Sequence, residues 1–507
     1  MFGENLQNAI ASWLLFIYNE VNKGGFSMKR MISVFLVLAM VLSLCACNRK
    51  KTAAQPEVPA FQAGFGRVNI TPNYAVPLEG NRTIRMSQGF QNYLYTICVA
   101  LRDAQGKTAL LLVNDLAMTY SILVEKHTQA ISQATGVPEE NIYIAATHTH
   151  SGPAVTSSNK SAEPYRPFLQ ESMVQAAVAA MEDLAPAQIQ TGSTEAKGLT
   201  FVRHYLMNDG TYSGDNFGKI YSGYKAHERE ADEEMQLVRL VRSGKKQDIL
   251  LVNWQSHPTV ASTSATPEGK ANQEMLSADY VGFLRDFVEE QTQCQVAFFQ
   301  GAGGNLNPRS SIVSEQTNVP QDAREYGNRL GEYAIQALAT LKPVQAGPLL
   351  SQRTLYSAQI DHTEEHLLSS AKIVADLWNT THDFDLCVRK GEYMGITNPY
   401  QATSIVRRAA MTEESEELQI NALAIGQIAF VTVPYEMFCQ NGQAIKNGAN
   451  YETTFVITCC NGHYNYMAAD AAFEYGAYEA HNRTFVRGTA EAVQEELIAM
   501  LKTLNGQ

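Results

Sequence analysis

Five short polar clusters carry the side chains able to do chemistry, and each follows an apolar run. Ile142–Ala146 leads into Thr147-His148-Thr149-His150-Ser151-Gly152-Pro153, and Ile249–Trp254 into Gln255-Ser256-His257-Pro258-Thr259. Gln295–Gln300 opens into Gly301-Ala302-Gly303-Gly304-Asn305-Leu306-Asn307-Pro308. Ile428–Val433 is followed by Pro434-Tyr435-Glu436, and Thr454–Cys459 by Asn461-Gly462-His463-Tyr464-Asn465-Tyr466. In open α/β sheets, ligands bind outside the carboxyl ends of strands, so these clusters can converge on one cleft. Two imidazoles and a carboxylate from separate strand ends suit a zinc-like ion that keeps positions open for water and substrate. Such an ion lowers the pKa of its water toward about 7, which makes hydroxide available near neutral pH. His148 and His150 flank one residue, so in an extended segment they point the same way. One can then bind metal while the other hydrogen-bonds substrate or solvent.

Other motifs carry less. His362-Thr363-Glu364-Glu365-His366 has the spacing of an inverted zinc motif, yet Asp361 and Thr363 mark it as the solvated first turn of a helix. Gly301–Gly304 lacks a following Lys-Ser/Thr and is not a phosphate loop. No Gly-x-Ser-x-Gly elbow occurs, which argues against a serine nucleophile of the α/β-hydrolase kind. The aromatic stretch from Tyr464 to Tyr478 reads as packing.

Positioning these clusters falls to the elements around them. Strands are expected at Tyr95–Leu101, Thr108–Val113, Ile142–Ala146, Ile249–Trp254, Gln295–Gln300, Ile428–Val433 and Thr454–Cys459. Helices are expected at Pro167–Leu184, Ser277–Glu290, Asp322–Leu341, Thr363–Leu377 and Thr489–Leu504. Interleaving of this kind predicts an α/β fold, with mixed β-sheets flanked by helices. Neither a repeat nor a Pro/Gly-rich linker divides the chain after residue 60, so residues 61–507 are expected to form one large catalytic domain.

The 507 residues are 45% hydrophobic and 18% charged, a globular composition. A net charge of −12 argues against a nucleic-acid binder, which would normally show a basic face, and no obligate protein partner is evident. Beyond residue 47, Cys98, Cys294, Cys387, Cys439, Cys459 and Cys460 lie far apart or in apolar runs and read as buried thiols. At the start, Met28-Lys29-Arg30, the apolar run Met31 to Leu44 and Cys45-Ala46-Cys47 describe an export signal over residues 28–46. Leu44-Cys45-Ala46-Cys47 is similar to a bacterial lipobox. Cys47 would then be lipidated, residues 47–60 would form a tether, and the chain would sit at the outer face of the bacterial cell membrane. Residues 1–27 fit neither signal nor domain and are expected to be translated leader upstream of a true start at Met28.

The residues resemble the catalytic domain of the neutral/alkaline non-lysosomal ceramidase family, in order from Gly64-Phe65-Gly66-Arg67-Val68-Asn69-Ile70-Thr71 to Tyr478-Glu479-Ala480. Thr147-His148-Thr149-His150-Ser151-Gly152-Pro153 is the most specific match, followed by Asn253-Trp254 with His257-Pro258-Thr259. Pro434-Tyr435-Glu436-Met437-Phe438 and the Asn461, Tyr466, Tyr478-Glu479 set match more loosely. The resemblance implies a zinc amidase in which His148, His257, Glu436 and Tyr466 bind Zn2+. It also implies that His150, Arg203 and Tyr478 contact the amide and its developing oxyanion. Two departures stand out. Asn307 occupies a position where the family has a serine, and an amide there can hydrogen-bond a substrate carbonyl but cannot act as a nucleophile. The family's C-terminal immunoglobulin-like domain is not expected after the last helix.

The leading expectation is therefore a lipid-anchored hydrolase cleaving an amide in an N-acyl lipid, such as a sphingolipid, or a related conjugate. A zinc esterase or deacylase acting on cell-wall or sugar conjugates is a second reading. A non-catalytic, ligand-binding surface lipoprotein is a third.

Overall fold

The apolar runs become the central strands of two stacked sheets. The computed structural model describes residues 60–506 apart from 81–84, 157–158, 215–221, 264–272 and 311–317. The expected leader, signal peptide and lipidated Cys47 lie outside the described residues, as does the tether up to residue 59.

The larger sheet comprises β1 (Gln62–Asn69), β2 (Tyr95–Arg102), β3 (Thr108–Asn114), β4 (Ile142–Ala146), β5 (Ala185–Glu195), β6 (Glu234–Arg242), β7 (Ile249–Trp254) and β8 (Gln295–Gln300). Their order is β8-β7-β6-β5-β1-β2-β3-β4, with the short strand Lys342–Val344 added on β5. Only β3–β4 and β7–β8 are parallel pairs along this path. The smaller sheet runs in chain order through β9 (Leu349–Gln359), β10 (Ser415–Ile425), β11 (Ile428–Thr432) and β12 (Thr453–Ile457), the last pair parallel.

The two sheets pack face to face. Val99, Leu111, Val238 and Leu251 of the larger sheet meet Leu423, Phe430 and Phe455 of the smaller one. Helices close the outer faces. On the larger sheet, α1 (Ser121–Thr135) and α2 (Tyr165–Glu182) cover Cys98, Leu110 and Ile144. The other half of that face lies under α3 (Asp279–Thr292) and α4 (Ala323–Leu338), which cover Leu237, Leu250 and Val252. Between β9 and β10 the chain inserts α5 (Leu368–Thr381), α6 (Phe384–Glu392) and α7 (Pro399–Ala409), which share a small core of their own. On the smaller sheet, α8 (Cys439–Gly448) and α9 (Thr489–Leu504) pack against Ile420, Val431 and Val456. The result is a four-layer α/β/β/α sandwich of mixed sheets.

This layering explains which strands were readable. In β2, Ile97, Val99 and Leu101 face the inter-sheet core while Cys98 and Ala100 face the helices. Both faces are buried, so the strand reads as one apolar run. By contrast, β5, β9 and most of β6 and β10 alternate apolar with polar or half-exposed residues and went unmarked. The helix expected at 363–377 begins at Leu368, after a single 3-10 turn over Glu365–Leu367. There His362 Nδ1 pairs with the exposed Glu365 at 2.6 Å, as expected of a solvated turn. The six cysteines among the described residues are free and buried.

One connection matters most for the site. After β12, the segment from Thr458 to Asn461 joins both edge strands of the larger sheet. Thr458 N–H donates to Gln300 O on β8 at 3.0 Å. Asn461 N–H donates to Ile144 O on β4 at 2.8 Å, and Ala146 N–H to Cys459 O at 3.2 Å. The two edges thus converge, and the loops after β4, β7, β8, β11 and β12 reach one place.

Candidate active site

His148 and His257 are anchored by the backbone. His148 Nδ1 lies 2.7 Å from Ala117 O, and His257 Nδ1 lies 2.8 Å from both Gly303 O and Leu306 O. Carbonyls only accept, so each Nδ1 carries the proton and each Nε2 presents a lone pair. Both Nε2 atoms aim at one carboxylate oxygen: Glu436 Oε2 is 3.2 Å from His148 and 3.0 Å from His257. The Tyr466 hydroxyl is 3.4 Å from His257 Nε2. Acceptors facing acceptors in a buried pocket form a donor set that a cation completes, and imidazoles tied to carbonyls in this way are typical metal ligands.

Without an ion, protonation takes the cation's place in this cluster. Burial disfavours the charge on Glu436, but charged His148 and the side-chain contacts with His148, His257 and His463 outweigh burial and hold its pKa well below the ordinary value. Burial likewise opposes charge on His148, yet Glu436 and Cys459 raise its pKa well above the usual value. His257 is lowered, by burial first.

His150 reaches the same point by a different route from the one expected. The segment is not extended, because His148 has φ +66°. The two rings stand at 90°, with Nε2 atoms 3.4 Å apart. The ligand atoms of His148, His150 and His257 all lie within 4.8 Å of one another. Burial, with His148 and His257 adding to it, lowers the pKa of His150 well below the ordinary value, so its ring is neutral. Its ring is held by the backbone of Gly80 through a hydrogen bond. Gly80 also packs closely against it, and a Cβ there would stand 2.6 Å from the His150 ring. Arg85 Nη2 donates to His150 O at 2.9 Å.

Arg203 lies on the other side. Its Nε donates to Glu479 Oε1 at 2.7 Å, Nη2 to Gly304 O at 2.8 Å and Nη1 to Asn307 Oδ1 at 3.3 Å. The guanidinium carbon is 5.4 Å from the Tyr466 ring centre and 5.8 Å from that of Tyr478. The Glu479 Oε2 oxygen meets His204 Nε2 at 2.9 Å, and Tyr475 OH lies 3.0 Å from His204 Nδ1. Tyr478 packs on Tyr466 at 5.5 Å and on Tyr400 of α7 at 4.8 Å. All eight residues singled out from the sequence (His148, His150, Arg203, His257, Asn307, Glu436, Tyr466 and Tyr478) therefore occupy one connected cluster. Asn307 uses its oxygen to hold Arg203.

Sequence reasoning missed several supports, Gly80, Arg85, His204 and Tyr475, and gave no separate role to His463, whose Nε2 is 3.4 Å from Glu436 Oε1. The Gly301–Gly304 run did signal a role, since a Cβ on Gly303 would stand 1.7 Å from Gln255 O. Glycine there lets the loop after β8 press against the loop after β7 and lend a carbonyl to His257.

The three imidazoles at the strand ends of a two-sheet sandwich form a group that could hold a metal ion. A family model for the N-terminal region of neutral/alkaline non-lysosomal ceramidases matches residues 61–314, and the chain belongs to that family. Among solved structures it is similar to the neutral ceramidase from Pseudomonas aeruginosa, with 19% identity and a TM-score of 0.64 over 88% of this chain and 74% of that one. A ceramidase complexed with C2 is similar at 18% identity and a TM-score of 0.64, over 88% of this chain and 75% of that one. At these identities the likeness shows the fold. No curated protein matches the sequence.

Proposed function

We propose that this chain hydrolyses an amide bond in an N-acyl lipid or related conjugate, using a zinc-class ion held by His148, His257, Glu436 and Tyr466. One observation carries the reading: two backbone-anchored imidazoles share a buried carboxylate oxygen beside a buried arginine. When bound, the ion supplies Lewis acidity and an activated water. Imidazole and carboxylate donors accept several first-row ions, and zinc suits a site with few protein ligands and open positions.

The remaining residues prepare the carbonyl. Arg203 provides a fixed positive charge where negative charge develops, and Glu479, Gly304 O and Asn307 keep it from moving. Neutral His150 can give or take a proton, and Tyr478 completes the wall beside Tyr466. A preorganised oxyanion donor contributes about 3 kcal/mol to such a reaction. Export and attachment to the outer face of the cell membrane through lipidated Cys47 remain part of the proposal, and they suit a substrate drawn from lipid.

A panel of chromogenic amides and esters with acyl chains of increasing length tests it. Amides turned over faster than matched esters, with His257→Ala lowering turnover at least 1,000-fold, are the expected outcome. Ester-only hydrolysis would replace the amide reading with a deacylase, and no hydrolysis of either class with zinc supplied would overturn both.

A further inference from the structure

The ribbon that brings Arg203 and Asn307 to the centre also leads away from it. Thr200–Val202 pairs antiparallel with Leu306–Pro308, and Phe201 lies opposite Asn307. The ladder continues at both ends, through Arg203 N–H to Asn305 O at 3.0 Å and Arg309 N–H to Leu199 O at 2.8 Å. Side chains alternate along a strand, which puts Phe201, Arg203, Asn307 and Arg309 on one face. Their contacts agree: Arg203 bonds Asn307, and the Arg309 guanidinium carbon stands 5.1 Å over the Phe201 ring. Two residues of strand, about 7 Å, separate Asn307 from Arg309.

A cavity of about 530 Å³ covers the outer part of this face, lined by Phe201, Tyr224, His227, Glu228, Arg229 and Arg309 among others. Lys225 and Glu230 also line it as exposed side chains, and three of its other charges are engaged. Glu228 pairs with Arg229 at 2.8 Å, and Glu233 accepts from Gly198 N–H at 2.6 Å. His227 holds Val202 O through Nδ1 at 2.8 Å, and its ring lies 5.2 Å from Phe201. Arg309 differs. Among the described residues no carboxylate pairs with it, and its buried Nε has no hydrogen-bond partner. A partly desolvated guanidinium without a counter-ion is costly, and a planar carboxylate is the ligand its fork fits best.

We propose that this cavity receives a carboxylate on the amine side of the scissile amide, with Arg309 as its counter-ion, so that N-acyl amino acids are preferred over neutral N-acyl amino alcohols. This rests on the amide-hydrolase reading above. The charged lining suits a polar head and not an acyl chain, and the short step along the strand from Asn307 matches the reach of an amino acid from its amide.

The test uses the full chain and two ligands with one acyl chain, N-dodecanoylglycine and N-dodecanoylethanolamine. The expected kcat/KM ratio favours the glycine conjugate about tenfold or more, and Arg309→Gln lowers that ratio about 10- to 100-fold, with a smaller loss for Arg309→Lys. Calorimetric binding of both ligands to chelator-treated protein gives the same comparison without turnover. If neither amide is cleaved but N-dodecanoylglycine binds in an Arg309-dependent way, the hydrolase reading fails and the anion site stands. Should Arg309→Gln not fold, sodium acetate competing against the unaltered chain reads the site directly: it should weaken the glycine conjugate alone. Equal ligand preference in the unaltered chain, a ratio unchanged in the variant, or equal acetate effects on both ligands would overturn the proposal.

Discussion

The two sides of the site are built by different means. On one side, His148 and His257 hang from backbone carbonyls of nearby loops, and their aim is set as soon as the strands pair. On the other, Arg203 is held chiefly by side chains: Glu479 grips it from 276 residues away, and Glu479 is itself held by His204, whose far nitrogen meets Tyr475. Backbone anchoring makes ligand geometry a by-product of the fold. Side-chain anchoring makes it a network in which Arg203, His204 and Glu479 are buried and every charge depends on its neighbour. Replacements should therefore cost the first side in function and the second in stability as well.

Breaking the second side should give the largest stability effect. Glu479→Gln leaves Arg203 and His204 buried without their anion, and a loss of about 3–5 kcal/mol in urea unfolding is expected. A loss under about 1 kcal/mol would show that the network is not what holds this wall. Its pH dependence has a defined sign. Burial opposes charge on Glu479, but Arg203 and His204 outweigh it and lower its pKa from 4.5 to about 2. The stabilisation is thus present above pH 4.5 and lost as pH falls from there toward 2. The gap between unaltered chain and variant should close over that interval, and a gap constant with pH would remove the carboxylate from the account.

Gly80 gives a smaller effect and sharpens the contrast from the other direction. Its φ of +92° and the 2.6 Å approach to the His150 ring leave no space for a methyl group. Gly80→Ala should cost about 1–3 kcal/mol and displace His150, because both the left-handed backbone and the overlap must be relieved. Turnover should drop about 10-fold or more while bound metal is retained, since neither anchored ligand moves. Loss of metal in this variant would place His150 among the ligands.

The same difference decides what could be read from sequence. His148, His257 and Glu436 each follow a strand buried on both faces, so a continuous apolar run announces the strand and the next polar residue announces the site. Residues on the other side lacked such a marker. Arg203 follows a three-residue strand in a small ribbon and was reached only through family likeness, while His204 and Tyr475 matter only through Glu479. The fold class was legible for the first reason. The second sheet was half hidden, because polar and apolar residues alternate along β9 and along the first part of β10, up to Asn421. The paired imidazoles were anticipated in an extended segment, and the left-handed turn at His148 shows that convergence came from the loop's course and not from strand alternation.

The most direct test of the central claim is metal content by elemental analysis on the full chain beside its His148→Ala variant. About one zinc-class ion per chain, lost in the variant, is the predicted result. No ion in either protein after zinc is supplied, or an ion retained equally by both, would contradict a metal centre built on these imidazoles.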